Sequence, residues 1–180
     1  MKTARDIGRG FEAMLRKAKH LLMDGAHGRS IFTIRRWRSQ EEHDSGQTPY
    51  LTTKFFPNVF LNEGINELFT LICSSGGTKF DNTNARIGVG TIATGEDPVQ
   101  TGLLGTTAFK AMDNGYPTYG TSQKATFRST FGTDEGNIAW NEFTVDNGAA
   151  AGKNWNRKVS AQGTKVAGQV WELTIELSIS

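Results

Sequence analysis

The chain has a single cysteine, three histidines and no apolar run approaching the roughly 18 residues that a membrane-spanning helix requires. Cys73, being alone, excludes an intrachain disulfide and gives no support to a thiolate zinc site. The first residues are basic, but no apolar stretch long enough for a signal peptide follows them, so the expectation is a soluble, unexported protein. His20, His27 and His43 all fall in the first 43 residues, and no spacing puts two of them on one helical turn beside a carboxylate. Zinc binding and general-base catalysis both need such convergence. The expectation is therefore a protein that is not an enzyme and holds no metal and no cofactor.

What is present is an uneven distribution of charge. The net charge is +2, yet residues 1–40 hold ten Lys or Arg against three Asp or Glu, a balance of +7. Residues 41–180 hold ten against fifteen, a balance of −5. A basic segment on a mildly acidic body suits docking onto an acidic protein surface or nucleic acid, although a solvated helix face would look the same. At 180 residues the chain is long enough for one well-buried core plus an extension.

Residues 5–23 place Ile7, Phe11, Met14, Leu15, Ala18, Leu21 and Leu22 at helical spacing, with Arg9, Arg16, Lys17 and Lys19 mostly off that stripe. Thr3 followed by Asp6 resembles a capping box, and Asp24-Gly25 followed by Gly28 supplies a stop. An isolated helix of this length is marginal in water, so its apolar face needs a surface to cover it. Ser30 to Arg38 is β-branched and aromatic enough for a strand, and Gln40 to Pro49 reads as a polar connection. The expected division therefore separates a basic arm, 1–46, from a β-domain, 47–180.

Within the body, Tyr50 to Phe56 is a strand candidate ended by Pro57-Asn58. From Asn62, read as a cap, Ile65, Leu68, Phe69 and Ile72 form a short apolar helical face stopping at Ser74-Ser75-Gly76-Gly77. This second helix is expected to cover an edge or end of the sheets. Beyond residue 84 the chain breaks into short runs between glycine-rich turns: 85–92, 106–112, 123–131, 137–145, 155–161 and 169–179. In the last run Trp171, Leu173, Ile175, Leu177 and Ile179 face one way, and Glu172, Thr174, Glu176 and Ser178 the other. About eight antiparallel strands with one core face fit a mainly β fold, a jelly-roll-like β-sandwich. The alternation excludes a doubly wound parallel sheet, whose strands are apolar on both faces.

Several short patterns invite a chemical reading. Gly88-Val89-Gly90 lies inside a strand pattern with no helix N-terminus after it, so a bulge or a close sheet contact is favoured over a phosphate loop. Asp81-Asn82-Thr83-Asn84 lacks the spacing and closing Glu of a calcium loop and reads as a turn. Trp140 is expected in the core, with Glu142 on the same side and Arg157 as its partner. Cys73, following Phe69 and Ile72, is expected to be buried. Arg35-Arg36-Trp37-Arg38 with Lys17 and Lys19 is the one pattern resembling a nucleic-acid footprint. The acidic body and the lack of a stacking platform argue against direct nucleic-acid binding as the main function.

The run Phe60-Leu61-Asn62-Glu63-Gly64-Ile65-Asn66-Glu67-Leu68 precedes Ala85-Arg86-Ile87-Gly88-Val89-Gly90, then Ala139-Trp140-Asn141-Glu142-Phe143, Asn156-Arg157-Lys158 and a terminal alternating strand. This order, over about residues 55–180, resembles small virion structural proteins of tailed bacteriophages. The resemblance implies a capsid cement or decoration protein, homo-oligomeric with a trimer favoured. Such a protein is made in the host cytoplasm and bound to the major capsid protein on the virion surface. On that reading Phe11, Leu15 and Leu22 are apolar anchors, and Arg35, Arg36 and Arg38 make charge pairs to the shell. The rival is a tail, fibre or baseplate protein that binds a host glycan near Tyr116, Tyr119 or Trp155. A glycan hydrolase would need two carboxylates flanking a cleft, and only Glu142 with Asp134 or Glu172 can be nominated.

Overall fold

The computed structural model describes residues 28–148 and 152–179. The amphipathic segment 5–23, with Phe11, Leu15 and Leu22, lies outside the described residues. Ten strands and two short helices follow in the order β1 (Gly28–Trp37), α1 (Gln40–Asp44), β2 (Leu51–Phe55), β3 (Val59–Phe60), α2 (Asn62–Cys73), β4 (Arg86–Gly90), β5 (Thr107–Ala111), β6 (Thr118–Thr121), β7 (Lys124–Phe131), β8 (Glu142–Asp146), β9 (Asn156–Val159) and β10 (Val170–Ile179). The chain is mainly β, with all pairings antiparallel. The eight expected strands are present, and β3 and β6 are additional. Both are too short to show a period-two pattern. The polar connection after β1 carries one helical turn, α1, because Ser39 Oγ accepts a hydrogen bond from Glu42 N at 3.1 Å and caps it.

The strands form two five-stranded sheets, ordered β2-β1-β10-β7-β6 and β3-β9-β8-β4-β5. One core fills the space between them. From the first sheet, Phe32, Ile34, Phe127, Phe131, Leu173 and Ile175 enter it; from the second come Ile87, Val89, Phe143 and Val145. Aromatic rings tie the layers together: Phe143 lies 6.1 Å from Phe32 and 5.0 Å from Phe55, and Trp140 lies 4.9 Å from both Phe131 and Trp171. The alternation read along β10 holds from Trp171 to Leu177, with Trp171, Leu173, Ile175 and Leu177 buried, but Ile179 at the strand end is 41% exposed and Glu172 on the other face is itself buried.

The expected division at residue 46 does not match the sheet. β1 lies between β2 and β10, and it pairs with β10 over its whole length, from Gly28 opposite Ile179 to Trp37 opposite Val170. Phe32 and Ile34 of β1 are fully buried. The domain thus begins no later than Gly28. The placement of Glu142 beside Trp140 is corrected as well. Residues 139–141 precede the regular strand, with Trp140 N bonded to Gly163 O and Asn141 N to Gly90 O, so Trp140 enters the core while Glu142 joins the face opposite Phe143 and Val145.

Removing residues 1–46 deletes an interior strand and two fully buried apolar side chains worth about 1.5–3 kcal/mol each, a large share of a typical domain stability of about 5–15 kcal/mol. That truncation is expected to lose its cooperative thermal transition, whereas a chain starting at residue 28 keeps one. Circular dichroism melts of the two truncations make the comparison.

Candidate functional site

A fully buried pair of opposite charges lies on the outer face of the second sheet. Glu142 and Arg157 are both fully buried, and Arg157 Nε and Nη2 donate to Glu142 Oε2 at 3.0 and 2.8 Å. Glu142 also accepts from the backbone amides of Gly105 at 3.0 Å, Leu104 at 3.0 Å and Ile92 at 3.3 Å. Arg157 Nη1 donates to Thr94 O at 3.0 Å and to Gln100 Oε1 at 2.9 Å. The pair therefore pins the long connection between β4 and β5 over the sheet, which explains why every residue of β8 is buried on both faces. A Cβ at position 90 would lie 2.5 Å from Glu142 Oε1, and one at 88 would lie 2.5 Å from the Phe109 ring. Of the two expected roles for Gly88 and Gly90, a bulge or a close contact, the structure shows the close contact, with regular pairing through both.

The same connection is tied at a second point. Burial raises the Glu96 carboxyl, but the hydrogen bond from Val159 N at 2.6 Å and the Lys158 ammonium at 3.2 Å outweigh it, holding the group below its ordinary value. Arg86 grips Asp146 with Nε–Oδ1 at 3.0 Å and Nη2–Oδ2 at 2.6 Å. Lys165, also fully buried, donates to Gly132 O at 2.6 Å and Asn137 Oδ1 at 2.8 Å. Burial pushes its ammonium below the ordinary lysine value, against the pull of Glu135 and Asp134. Each of these groups has its partners inside the chain.

The nominated arginines divide. Arg36 is only 2% exposed; its guanidinium stacks 4.3 Å from the Trp171 ring and donates to Thr53 Oγ1 and Gln162 O, both at 3.0 Å. It is packed against its own domain, which removes it from the partner-facing set. Arg35 and Arg38 remain at the surface, Arg35 paired with Glu172 at 2.5 Å and Arg38 lying 4.8 Å from the Tyr50 ring. Among the carboxylates nominated for glycan hydrolysis, both oxygens of Glu142 are occupied as described, Glu172 is paired on the other sheet, and Asp134 sits in a surface turn beside Thr133. Among the described residues no cluster of three or more His, Cys, Asp or Glu is placed to hold a metal ion. Asp81 Oδ1 accepts from Asn84 N at 3.0 Å, the turn that was expected there.

Sequence reasoning missed the end of the domain where α2 sits. Leu61, not Asn62, occupies the N-cap position; Asn62 is the first helical residue, its amide donating to Pro98 O at 2.8 Å. The helix is held through its polar side and its glycine. Glu63 accepts from Asn154 N at 2.9 Å, Glu67 accepts from Thr78 N at 2.6 Å, and a Cβ on Gly64 would lie 2.4 Å from Trp155 Cα. Consequently the stripe Ile65, Leu68, Phe69 and Ile72 is not consumed in covering the sheets, with Phe69 59% and Ile72 69% exposed. Cys73, expected to be buried, is exposed for the same reason.

Beside that stripe lies an apolar groove of about 280 Å³, walled by Gly28, Phe60, Ile65, Leu68, Trp155 and Ile179 among others. A neighbouring hollow of about 430 Å³ shares Phe60, Trp155 and Ile179 and is bordered by the turn between β6 and β7. Trp155 is half-buried, its ring 5.1 Å from Phe80 and 5.9 Å from Phe127. Tyr119 is exposed on β6, and Arg128 stacks 4.2 Å from the Tyr116 ring; neither tyrosine lines either hollow.

Two measurements probe the charged clamps. Arg157→Leu, which strands Glu142, is expected to cost about 3–5 kcal/mol, and adding Glu142→Gln to cost less than the sum of the single changes, read from urea midpoints. Because the Glu96 pKa is lower when folded, its stabilisation is present above the unfolded value of 4.5 and lost as pH falls through the folded one. The stability gap between wild type and Glu96→Gln should therefore shrink between pH 7 and pH 3.

No protein-family model matches the chain, and no curated protein or solved structure was found to be similar to it.

Proposed function

We propose that the chain is a structural protein of a tailed-bacteriophage virion, a cement or decoration protein. It binds the outside of the capsid lattice as a homo-oligomer, with a trimer favoured, and works without catalysis. The two sheets are read as a jelly-roll-like β-sandwich, a reading supported by the repeated passage of the chain between sheets, after β2, β5, β7 and β9. The observation that carries the proposal is a contrast within the molecule. The buried charges Glu142, Arg157, Arg36 and Lys165 are engaged by groups of their own chain, while the apolar stripe on α2 stays open beside the residue at which the basic segment joins. A body clamped internally in this way is suited to bearing mechanical load. A basic segment at one end is suited to an acidic neighbour. Many modest contacts repeated over a symmetric lattice would add avidity and oppose the pressure of packaged DNA. The order of motifs over residues 55–180 supports the same reading.

On this view the arm supplies the lattice contact, with Arg35 and Arg38 as the surface charges next to it. The test is to locate the protein in intact particles by cryo-electron microscopy and to repeat it with a chain starting at residue 28. Density repeating over the shell, lost on truncation, is the expected result. Density confined to the tail, together with glycan binding by the purified chain, would replace this reading with the host-surface one.

A further inference from the structure

Lys165 is fully buried, yet both atoms that its Nζ contacts among the described residues are neutral: Gly132 O at 2.6 Å and Asn137 Oδ1 at 2.8 Å. An ammonium taken out of water with no carboxylate against it is costly to keep, and burial already loosens its hold on the proton. The neutral amine that results is a nucleophile. In front of it stands a carboxamide, an acyl group with nitrogen as its leaving group.

The backbone brings the two side chains together before any reaction. Residues 138–140 and 162–165 run antiparallel: Trp140 N donates to Gly163 O at 2.9 Å, Gln162 N to Trp140 O at 2.8 Å and Lys165 N to Ile138 O at 3.1 Å, and Ala139 bridges Thr164. Asn137 Nδ2 donates to Thr133 O at 3.0 Å, which holds the amide with its oxygen toward Lys165. Because Oδ1 is 2.8 Å from Nζ and a C=O bond is about 1.23 Å long, the carbonyl carbon lies within about 4 Å of the nitrogen. That approaches the roughly 3–3.5 Å from which an attack starts, and fixed proximity of this kind is equivalent to an effective molarity of about 10⁵–10⁸ M. Asn137 is exposed, so the leaving group has a way out.

We propose that Lys165 and Asn137 become joined by an isopeptide bond. Nζ attacks Asn137 Cγ, the Cγ–Nδ2 bond breaks, and water at the exposed amide carries a proton from Nζ to Nδ2, which departs as ammonia. An ammonium and a carboxamide thus become a secondary amide and a free ammonium ion, with no oxidant, reductant or cofactor consumed. The buried charge is removed in the process, a gain that a surface lysine would not have. The bond links positions 28 residues apart, tying the segment that enters β8 to the segment that enters β10, one strand from each sheet. It forms once per chain, without turnover, and does not depend on the capsid reading.

Mass spectrometry of the purified full-length chain, fresh and after prolonged incubation at neutral pH, tests it. The expected result is an intact mass lower than that of the sequence by one ammonia, with tryptic cleavage after Lys165 lost and a branched peptide joining Asn137 to Lys165. Asn137→Ala, at an exposed position, should restore the full mass and the cleavage while the thermal melt stays cooperative. Lys165→Arg should likewise retain the ammonia. A folded wild-type chain that keeps its full mass after incubation overturns the proposal. Ammonia loss without the branched peptide overturns it too, and marks ring closure at Asn114 or Asn147, each followed by glycine.

Discussion

With no exposure to water on either side, the Glu142 carboxylate and the Arg157 guanidinium meet at 2.8 Å on the outer face of the second sheet. Burying two charges is costly unless their remaining hydrogen-bonding capacity is met. Here it is met by the backbone of one connection: amides of Ile92, Leu104 and Gly105 on the carboxylate, and the Thr94 carbonyl with the Gln100 amide oxygen on the guanidinium. The long segment between β4 and β5 can therefore lie flat over a sheet without secondary structure of its own. Gly90 is the geometric condition for it, since any side chain there would collide with Glu142.

That clamp gives the two sheets different surroundings. The second has the aromatic core on one side and a pinned polar layer on the other, so β8 is buried throughout. The first turns a row of alternating charge outward: Arg35, Glu172, Arg128 and Asp113 form a chain of ion pairs across β1, β10 and β7. Only Arg35 of this row is well exposed; the Glu172 carboxylate between the two arginines is itself buried. These ion pairs keep that sheet face polar, in contrast to the α2 end, where Ile65, Phe69, Ile72 and Ile179 are exposed.

The strands were legible because each carries its own signal, and none more clearly than β10, whose alternation names its core face residue by residue. The pairing of Glu142 with Arg157 was legible as a chemical complement but not as a place, because Trp140 and Glu142 were assumed to share one regular strand. Bonds from the 139–141 segment to Gly163 and Gly90 break that regularity, and they depend on residues far away in sequence. The exposure of Phe69, Ile72 and Cys73 was not legible either. A helical stripe announces that a face exists, and only Glu63, Glu67 and Gly64, by docking the opposite side, decide that the domain does not cover it.

The sequence by itself determined the class of the fold, the positions of its eight main strands, and the contrast between a basic segment and an acidic body. These follow from local periodicity and composition, which need no knowledge of neighbours. Tertiary structure alone decided that β1 lies in the interior of a sheet between β2 and β10, that Arg36 is packed against Trp171 while Arg35 and Arg38 stay at the surface, and that the apolar end opens beside Gly28. Each of those outcomes depends on which strand lies next to which, and pairing between strands as far apart in sequence as β1 and β10 leaves no trace in the local sequence of either.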